Sequence, residues 1–201
     1  MSKLLFQGHG SLRFTLDDGR VIYLDPFSGR GYDLPADFVL ITHQHFDHNK
    51  IKLIKQKPEC VVITNENALV DGEYKVFEFD GLRIEATEAY NKNHEKDECV
   101  GYILEFDGLK TYCTGDTGVT EQMKTFADRR FDYAIFNTDD VFTIPLAESA
   151  AIAAVIGARH NVPIHTQPLN LFSREKVTRW RAPNRLIIWA GEEIDMQEEN
   201  L

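Results

Sequence analysis

Cysteine, long apolar runs and positive charge are the three things this 201-residue chain has little of. Its three cysteines, Cys60, Cys99 and Cys113, are odd in number and contain no C-x-x-C spacing. That excludes a disulfide framework and a thiolate metal site, and it fits a reducing, cytoplasmic setting. No apolar run approaches the roughly 20 residues of a membrane-spanning helix. The first residues, Met1-Ser2-Lys3-Leu4-Leu5-Phe6, pass at once into polar residues and glycine, so no export signal is expected. Lysine and arginine total 22 against 32 aspartates and glutamates, a formal charge of −10. Such a field repels a nucleic-acid backbone. The densest basic stretch, Arg174, Lys176, Arg179, Arg181 and Arg185, has the spacing of a solvated helix face and the turn after it.

The chain is otherwise ordinary in composition, with 43% apolar and 27% charged residues, and its length suits one domain with its own core. Alternating apolar residues predict strands at 4–6, 11–16, 21–24, 38–42, 60–64, 75–79, 82–89, 99–106 and 110–113. Asp17-Asp18-Gly19, Asp80-Gly81 and Asp107-Gly108 mark three hairpins. Helices are expected at 49–57, ended by Pro58, in a short piece after Asn65, at 120–130, at 146–159, and after a Ser173 cap. Strands are expected at 133–136, 162–164 and, closing the chain, 186–189, with residues 192–199 an acidic solvated tail. Hairpins followed by strands alternating with helices, in each half, are buried best as two facing mixed sheets with helices outside, an α/β (α+β) sandwich.

The most informative segment is Thr42-His43-Gln44-His45-Phe46-Asp47-His48, which follows the apolar run Phe38-Val39-Leu40-Ile41. Three imidazoles and a carboxylate at the end of a buried strand are hard to satisfy without a metal. Nitrogen and oxygen ligands with no sulfur suit a metal that does chemistry. After the strand turns, His43 and His45 can face one ion while Asp47 and His48 face a second. Two ions need more ligands, and His94, Asp116 and His165 are the candidates. Asp116 follows Gly115, which lets the backbone come close, and a carboxylate there can bridge two cations.

These motifs resemble the metallo-β-lactamase superfamily, and within it the short, single-domain metal-dependent hydrolases that include lactonase-like proteins. Gly8-His9-Gly10-Ser11, Leu24-Asp25-Pro26-Phe27, Ile41 to His48, Ala89-Tyr90-Asn91 with His94, Thr114-Gly115-Asp116-Thr117 and Pro163-Ile164-His165 carry the resemblance in order along nearly the whole chain. It implies a four-layer αβ/βα sandwich. It implies one metal on His43, His45 and His94, another on Asp47, His48 and His165, and Asp116 as the bridge. The implied cofactor is a pair of divalent ions, zinc first, with manganese or iron as alternatives. The implied activity is hydrolysis of an ester-like bond in a small molecule, a lactone or phosphoester, by metal-bound hydroxide, with Asp47 also orienting the nucleophile. An iron-dependent oxidoreductase of the same fold and a non-catalytic metal-binding module are the competing readings. Flavodiiron-type relatives commonly carry glutamate in the place of His45 and an attached flavin domain, and neither is seen here. Asp25 is expected to orient a ligand histidine or to brace a turn, and His9 to serve as a donor behind the ligands, a proton shuttle or a turn brace. Where relatives commonly have Pro-x-Gly-Gly, this chain has Asn137-Thr138-Asp139-Asp140. That difference makes Asn137, Asp139 and Asp140 candidates for a place behind the ligands or beside the substrate, with Asp139 or Asp140 a proton donor, a group that repels anionic substrates, or a solvent-facing residue.

Overall fold

The computed structural model describes residues 1–196. Strands β1 (Lys3–Gly8), β2 (Ser11–Thr15), β3 (Val21–Leu24), β4 (Ala36–Ile41) and β5 (Gln56–Thr64) lead into a one-turn helix α1 (Asn65–Ala68). A two-strand ribbon, β6 (Leu69–Val70) and β7 (Glu73–Tyr74), precedes β8 (Val76–Phe79), β9 (Leu82–Glu88), β10 (Val100–Phe106) and β11 (Leu109–Cys113). Then follow β12 (Tyr133–Asn137), α2 (Leu146–Ile156), β13 (His160–Ile164), α3 (Arg174–Arg179) and β14 (Glu192–Asp195). They form two six-stranded sheets, ordered β14-β1-β2-β3-β4-β5 and β13-β12-β11-β10-β9-β8.

Period-two alternation splits each sheet into two faces. Along β3 and β4, Ile22, Leu24, Phe38 and Leu40 point into the core between the sheets, while Val21, Tyr23, Val39 and Ile41 point outward. The second sheet does the same: Tyr133 and Ile135 face inward, Ala134 and Phe136 outward. The outward face of the second sheet is covered by α2, by a 3₁₀ segment (Gln122–Asp128) and by Trp180. That of the first sheet is covered by Tyr32, Leu34, Ile51 and Ile54, from a loop and a single 3₁₀ turn (Ile51–Leu53). The result is the expected α/β sandwich, with one outer layer thin.

Four local expectations are corrected. The helix at 49–57 is only the turn Ile51–Leu53, and β5 runs through Pro58. This is possible because β5 is an edge strand, where a missing N–H costs no ladder bond. The helix at 120–130 is 3₁₀, with Met123 and Phe126, three apart, turned to the core. Residues 186–189 form no strand; only the bridge Asn161–Arg185 ties that segment to β13. The closing strand is instead β14, antiparallel to β1, where the part of the acidic tail at 192–195 is held by pairing and by an ion pair of Glu193 with Arg13 at 2.6 Å. Residues 197–199 of that tail lie outside the described residues.

Each sheet contains one parallel triad, β3-β4-β5 and β11-β12-β13. The carboxyl ends of parallel strands are where open α/β sheets present their binding groups. Asp25 follows β3, His43 follows β4, Asp116 follows β11, Asn137 ends β12 and His165 follows β13.

Candidate metal centre

The apolar strands end in buried polar side chains, and these converge. One carboxylate oxygen, Asp116 Oδ2, lies 3.4 Å from His48 Nε2, 3.6 Å from His165 Nε2, 3.9 Å from His94 Nε2 and 4.0 Å from His43 Nε2. These five side chains are all buried. Yet His43 Nε2, His48 Nε2, His94 Nε2 and His165 Nε2 have no hydrogen-bond partner. Four buried, unpartnered imidazole nitrogens around one carboxylate would be costly in a purely structural role. As a donor set they fit divalent cations.

Two groups of ligand atoms can be told apart. His43, His45 and His94 form one, and His9, Asp47, His48 and His165 form the other, each with its ligand atoms within 4.8 Å of one another. His45, which is exposed, forms the outer wall of the first group, its ring centroid 4.6 Å from that of His43 and 4.9 Å from that of His94.

The side chains behind the ligands decide which nitrogen faces inward. Asp25 is buried in the left-handed region (φ 47°), a conformation aspartate tolerates. Its Oδ1 accepts from Thr42 N at 2.7 Å, and its Oδ2 accepts from Thr42 Oγ1 at 2.6 Å and from His48 Nδ1 at 2.8 Å. Because the Thr42 hydroxyl proton is committed to Asp25, its oxygen accepts from His43 Nδ1 at 2.9 Å. Both histidines therefore carry a proton on Nδ1 and turn Nε2 toward Asp116. Asn91 Oδ1 lies 3.2 Å from His94 Nδ1 and selects the same tautomer. Asn137 Nδ2 donates to Asp116 Oδ1 at 2.6 Å, which leaves Oδ2 for the centre.

His9 lies beside Asp47, His48 and His165, a position with little signal in the sequence. Gly8-His9-Gly10 is the tight turn joining β1 and β2. A Cβ at Gly10 would stand 3.0 Å from His48 Cε1, so a side chain there would press on the His48 ring. His9 (φ 56°) and His165 (φ 45°) are both left-handed and are tied by His165 N donating to His9 O at 2.7 Å. Their rings lie 3.7 Å apart between centroids. His9 Nδ1 is 3.1 Å from Asn170 O, a carbonyl that can only accept, so Nε2 is the nitrogen facing Asp47 Oδ2 at 3.3 Å. That nitrogen and the carboxylate need a cation or a proton between them.

The Asn137–Asp140 segment divides in its roles. Asp139 is fully buried: its Oδ1 accepts from the backbone N–H of Val141, Phe142 and Thr143, and its Oδ2 lies 3.7 Å from His165 Nδ1. It ties down the 140–143 loop and stands behind His165. Asp140 turns away from the centre, accepting from Leu146 N at 2.7 Å in the first turn of α2 and pairing with Lys176 at 2.9 Å.

The electrostatics follow from the same burial and charges. Burial, followed by the charge of His48, pushes His43 well below the usual imidazole range. Burial likewise lowers His94 and His165. Each is shifted toward the neutral form, the one that can bind a metal. Burial would raise Asp116, but His165, His48 and His43 together outweigh it and hold the carboxylate well below its ordinary range. Burial also opposes a charge on His48, yet Asp116 and Asp25 lift it well above 6.5. For Asp47, burial is outweighed by the hydrogen bond from His9 and the charge of His48, giving about 2.

A cleft of about 400 Å³ opens above the centre, between Phe46, Phe142, Pro168 and Leu169. Among the described residues no helix is long and apolar enough to cross a membrane.

Known proteins resemble this chain along most of its length. A family described as the beta-lactamase superfamily domain matches residues 3–165. A UPF0173 metal-dependent hydrolase of Sulfolobus acidocaldarius is 24% identical, covering 98% of this chain and 100% of that one. A second, of Methanoculleus marisnigri, is 29% identical over 98% of each chain. The solved structure of Igni18, a metallo hydrolase from Ignicoccus hospitalis, superposes with a TM-score of 0.75 at 20% identity, covering 96% of this chain and 98% of that one.

Proposed function

The chain belongs to the beta-lactamase superfamily and is a metal-dependent hydrolase, and from that premise we propose that it is a dinuclear enzyme, with zinc its preferred ion, that hydrolyses an ester-like bond in a small molecule. The observation that carries this reading is the single oxygen Asp116 Oδ2 facing unpartnered Nε2 atoms from both ligand groups. His43, His45 and His94 would hold one ion, His9, Asp47, His48 and His165 the other, and Asp116 would lie between. An imidazole-rich, sulfur-free set favours zinc while still accepting manganese or iron.

Once bound, two such ions supply Lewis-acid polarisation of the substrate oxygen and a lowered pKa for water. The chain's own residues do the rest. Asp25 and Thr42 fix the tautomers of His48 and His43, and Asn137 fixes the rotamer of Asp116. With a pKa of about 2, Asp47 is ionised at neutral pH. It can therefore orient a water by accepting its hydrogen bond, but it cannot serve as the acid that protonates a leaving group.

The test is to strip the protein with a chelator and assay esters, lactones and phosphoesters before and after adding back Zn²⁺, Mn²⁺ or Fe²⁺. Hydrolysis that disappears and returns, best with zinc, is expected. Hydrolysis indifferent to stripping would refute the proposal. Iron uptake with substrate oxidation in place of hydrolysis would move the protein to the oxidoreductase reading.

A further inference from the structure

The cleft over the centre is unusual in what lines it. Its walls are Phe46, Phe142, Pro168 and Leu169, and its floor is the histidines and carboxylates of the centre. Asn93 supplies the remaining polar side chain, and its Nδ2 is spent on Val141 O at 3.1 Å. No lysine or arginine lines the cleft among the described residues. Of the nearby cations, Lys50 stands over the Phe27 ring at 4.2 Å and Lys176 pairs with Asp140. The adjoining hollow beside His43 and His45 adds Asp97 and Glu98. An anionic substrate in the cleft therefore meets no lysine or arginine on its walls.

The apolar side chains are displayed at a cost. Phe46, Phe142 and Leu169 are 62%, 45% and 63% exposed. Leu169 is also held at φ 57°, a conformation that a bulky residue rarely adopts and that here brings no burial in return. Phe142 is placed by polar clamps, with Asn91 Nδ2 donating to its carbonyl at 2.7 Å and Asp139 accepting from its N–H at 2.8 Å. Three exposed hydrophobes fixed around a polar floor have the make-up of a binding pocket with apolar walls.

We propose that the substrate is an uncharged carboxylic ester or lactone whose hydrocarbon part lies between Phe46, Phe142 and Leu169, and that phosphomonoesters are poor substrates. This rests on the hydrolase reading above. In the reaction the oxygen of water bonds to the carbonyl carbon and the bond from that carbon to the alkoxy oxygen breaks. The alkoxy oxygen takes one of the water's two protons, and the other passes to solvent as the acid leaves as its carboxylate.

The zinc-loaded enzyme should be assayed on p-nitrophenyl esters from acetate to hexanoate, on p-nitrophenyl phosphate and on bis(p-nitrophenyl) phosphate. We expect kcat/KM to rise about threefold to fourfold per added methylene, the value of one buried CH₂, and to exceed that on either phosphate by at least about tenfold. In Phe46→Ala and Leu169→Ala the rise per methylene should fall below about twofold, mostly through KM. A readout independent of turnover is the shift in melting temperature caused by 2-octanone, an uncleavable neutral ketone, which should shrink in both variants while butanone has little effect in any. A flat chain-length series in the wild type, or p-nitrophenyl phosphate as the best substrate, would overturn the substrate class and leave the hydrolase reading standing. No hydrolysis of any of these compounds would sink both.

Discussion

Replacing Asp25 by asparagine tests the arrangement at its most buried joint. The carboxylate accepts three hydrogen bonds at 2.6–2.8 Å and has nothing to donate. Asparagine has the same shape and tolerates the left-handed backbone, so the change is one of proton bookkeeping alone. If the amide nitrogen takes the Oδ1 position, it meets the Thr42 N–H, and a buried donor is left unpaired at about 1–3 kcal/mol. If it takes the Oδ2 position, His48 Nδ1 must accept, and the proton moves to Nε2, where it blocks the metal. The Thr42 hydroxyl then accepts as well and can give its proton to His43 Nδ1, which flips that ring too. Either outcome removes the negative charge that makes His48 a strong ligand. Outer partners of this kind are worth roughly 10–100-fold in metal affinity, about 1.4–2.8 kcal/mol. We expect Asp25→Asn to fold, to lose about 1–3 kcal/mol of metal-free stability in urea titration, and to bind zinc at least about tenfold more weakly in competition with a chromogenic chelator. Zinc affinity within threefold of wild type would refute the tautomer argument.

Three more predictions follow from the same geometry. His9→Gln should lower zinc stoichiometry from two to one per chain by elemental analysis after dialysis, whereas an unchanged value of two would remove His9 from the site. Asp47 has a folded pKa of about 2 against roughly 3.9 unfolded. A depressed carboxylate stabilises the fold above its unfolded pKa and loses that contribution as pH falls through its folded one. Metal-free wild type should therefore lose roughly 2 kcal/mol relative to Asp47→Asn between about pH 4 and pH 2, read by urea titration at each pH; parallel curves would contradict it. In Gly115→Ala the added Cβ would stand 2.7 Å from Val100 O in a φ of +64°, so melting temperature and zinc affinity should fall together as Asp116 is displaced. A drop in neither would show the Asp116 turn to be looser than drawn.

How much of this was legible in the sequence depended on how local each signal was. Inward and outward residues of β3 and β4 alternate in unbroken runs, so the sheets could be read directly. The His43–His48 cluster is contiguous and announces itself. His94, Asp116 and His165 are isolated in the chain, and only the resemblance to a known motif order drew them together; the structure shows the physical reason, since Asp116 and His165 follow the ends of parallel strands. His9 carries no periodic or cluster signal. Its place beside Asp47 arises from the turn between β1 and β2 and from a backbone hydrogen bond to a residue 156 positions away, from His165 N to His9 O. Pro58 misled because its effect depends on whether its strand is central or at an edge. Strand β14, Glu-Glu-Ile-Asp with one apolar residue, offers almost no intrinsic preference; β1 and Arg13 create it. Asp139 and Asp140 are adjacent and look alike in the sequence, yet one backs His165 and the other serves α2, a division that only the course of the loop determines.

Anomalous diffraction from crystals grown with zinc, recorded above and below its absorption edge, tests the central claim most directly. The account predicts two peaks per chain, roughly 3.5–4 Å apart, one against His43, His45 and His94 and the other against His9, Asp47, His48 and His165, with Asp116 between them. No peak at Asp116, or a single ion bound away from these side chains, would contradict it.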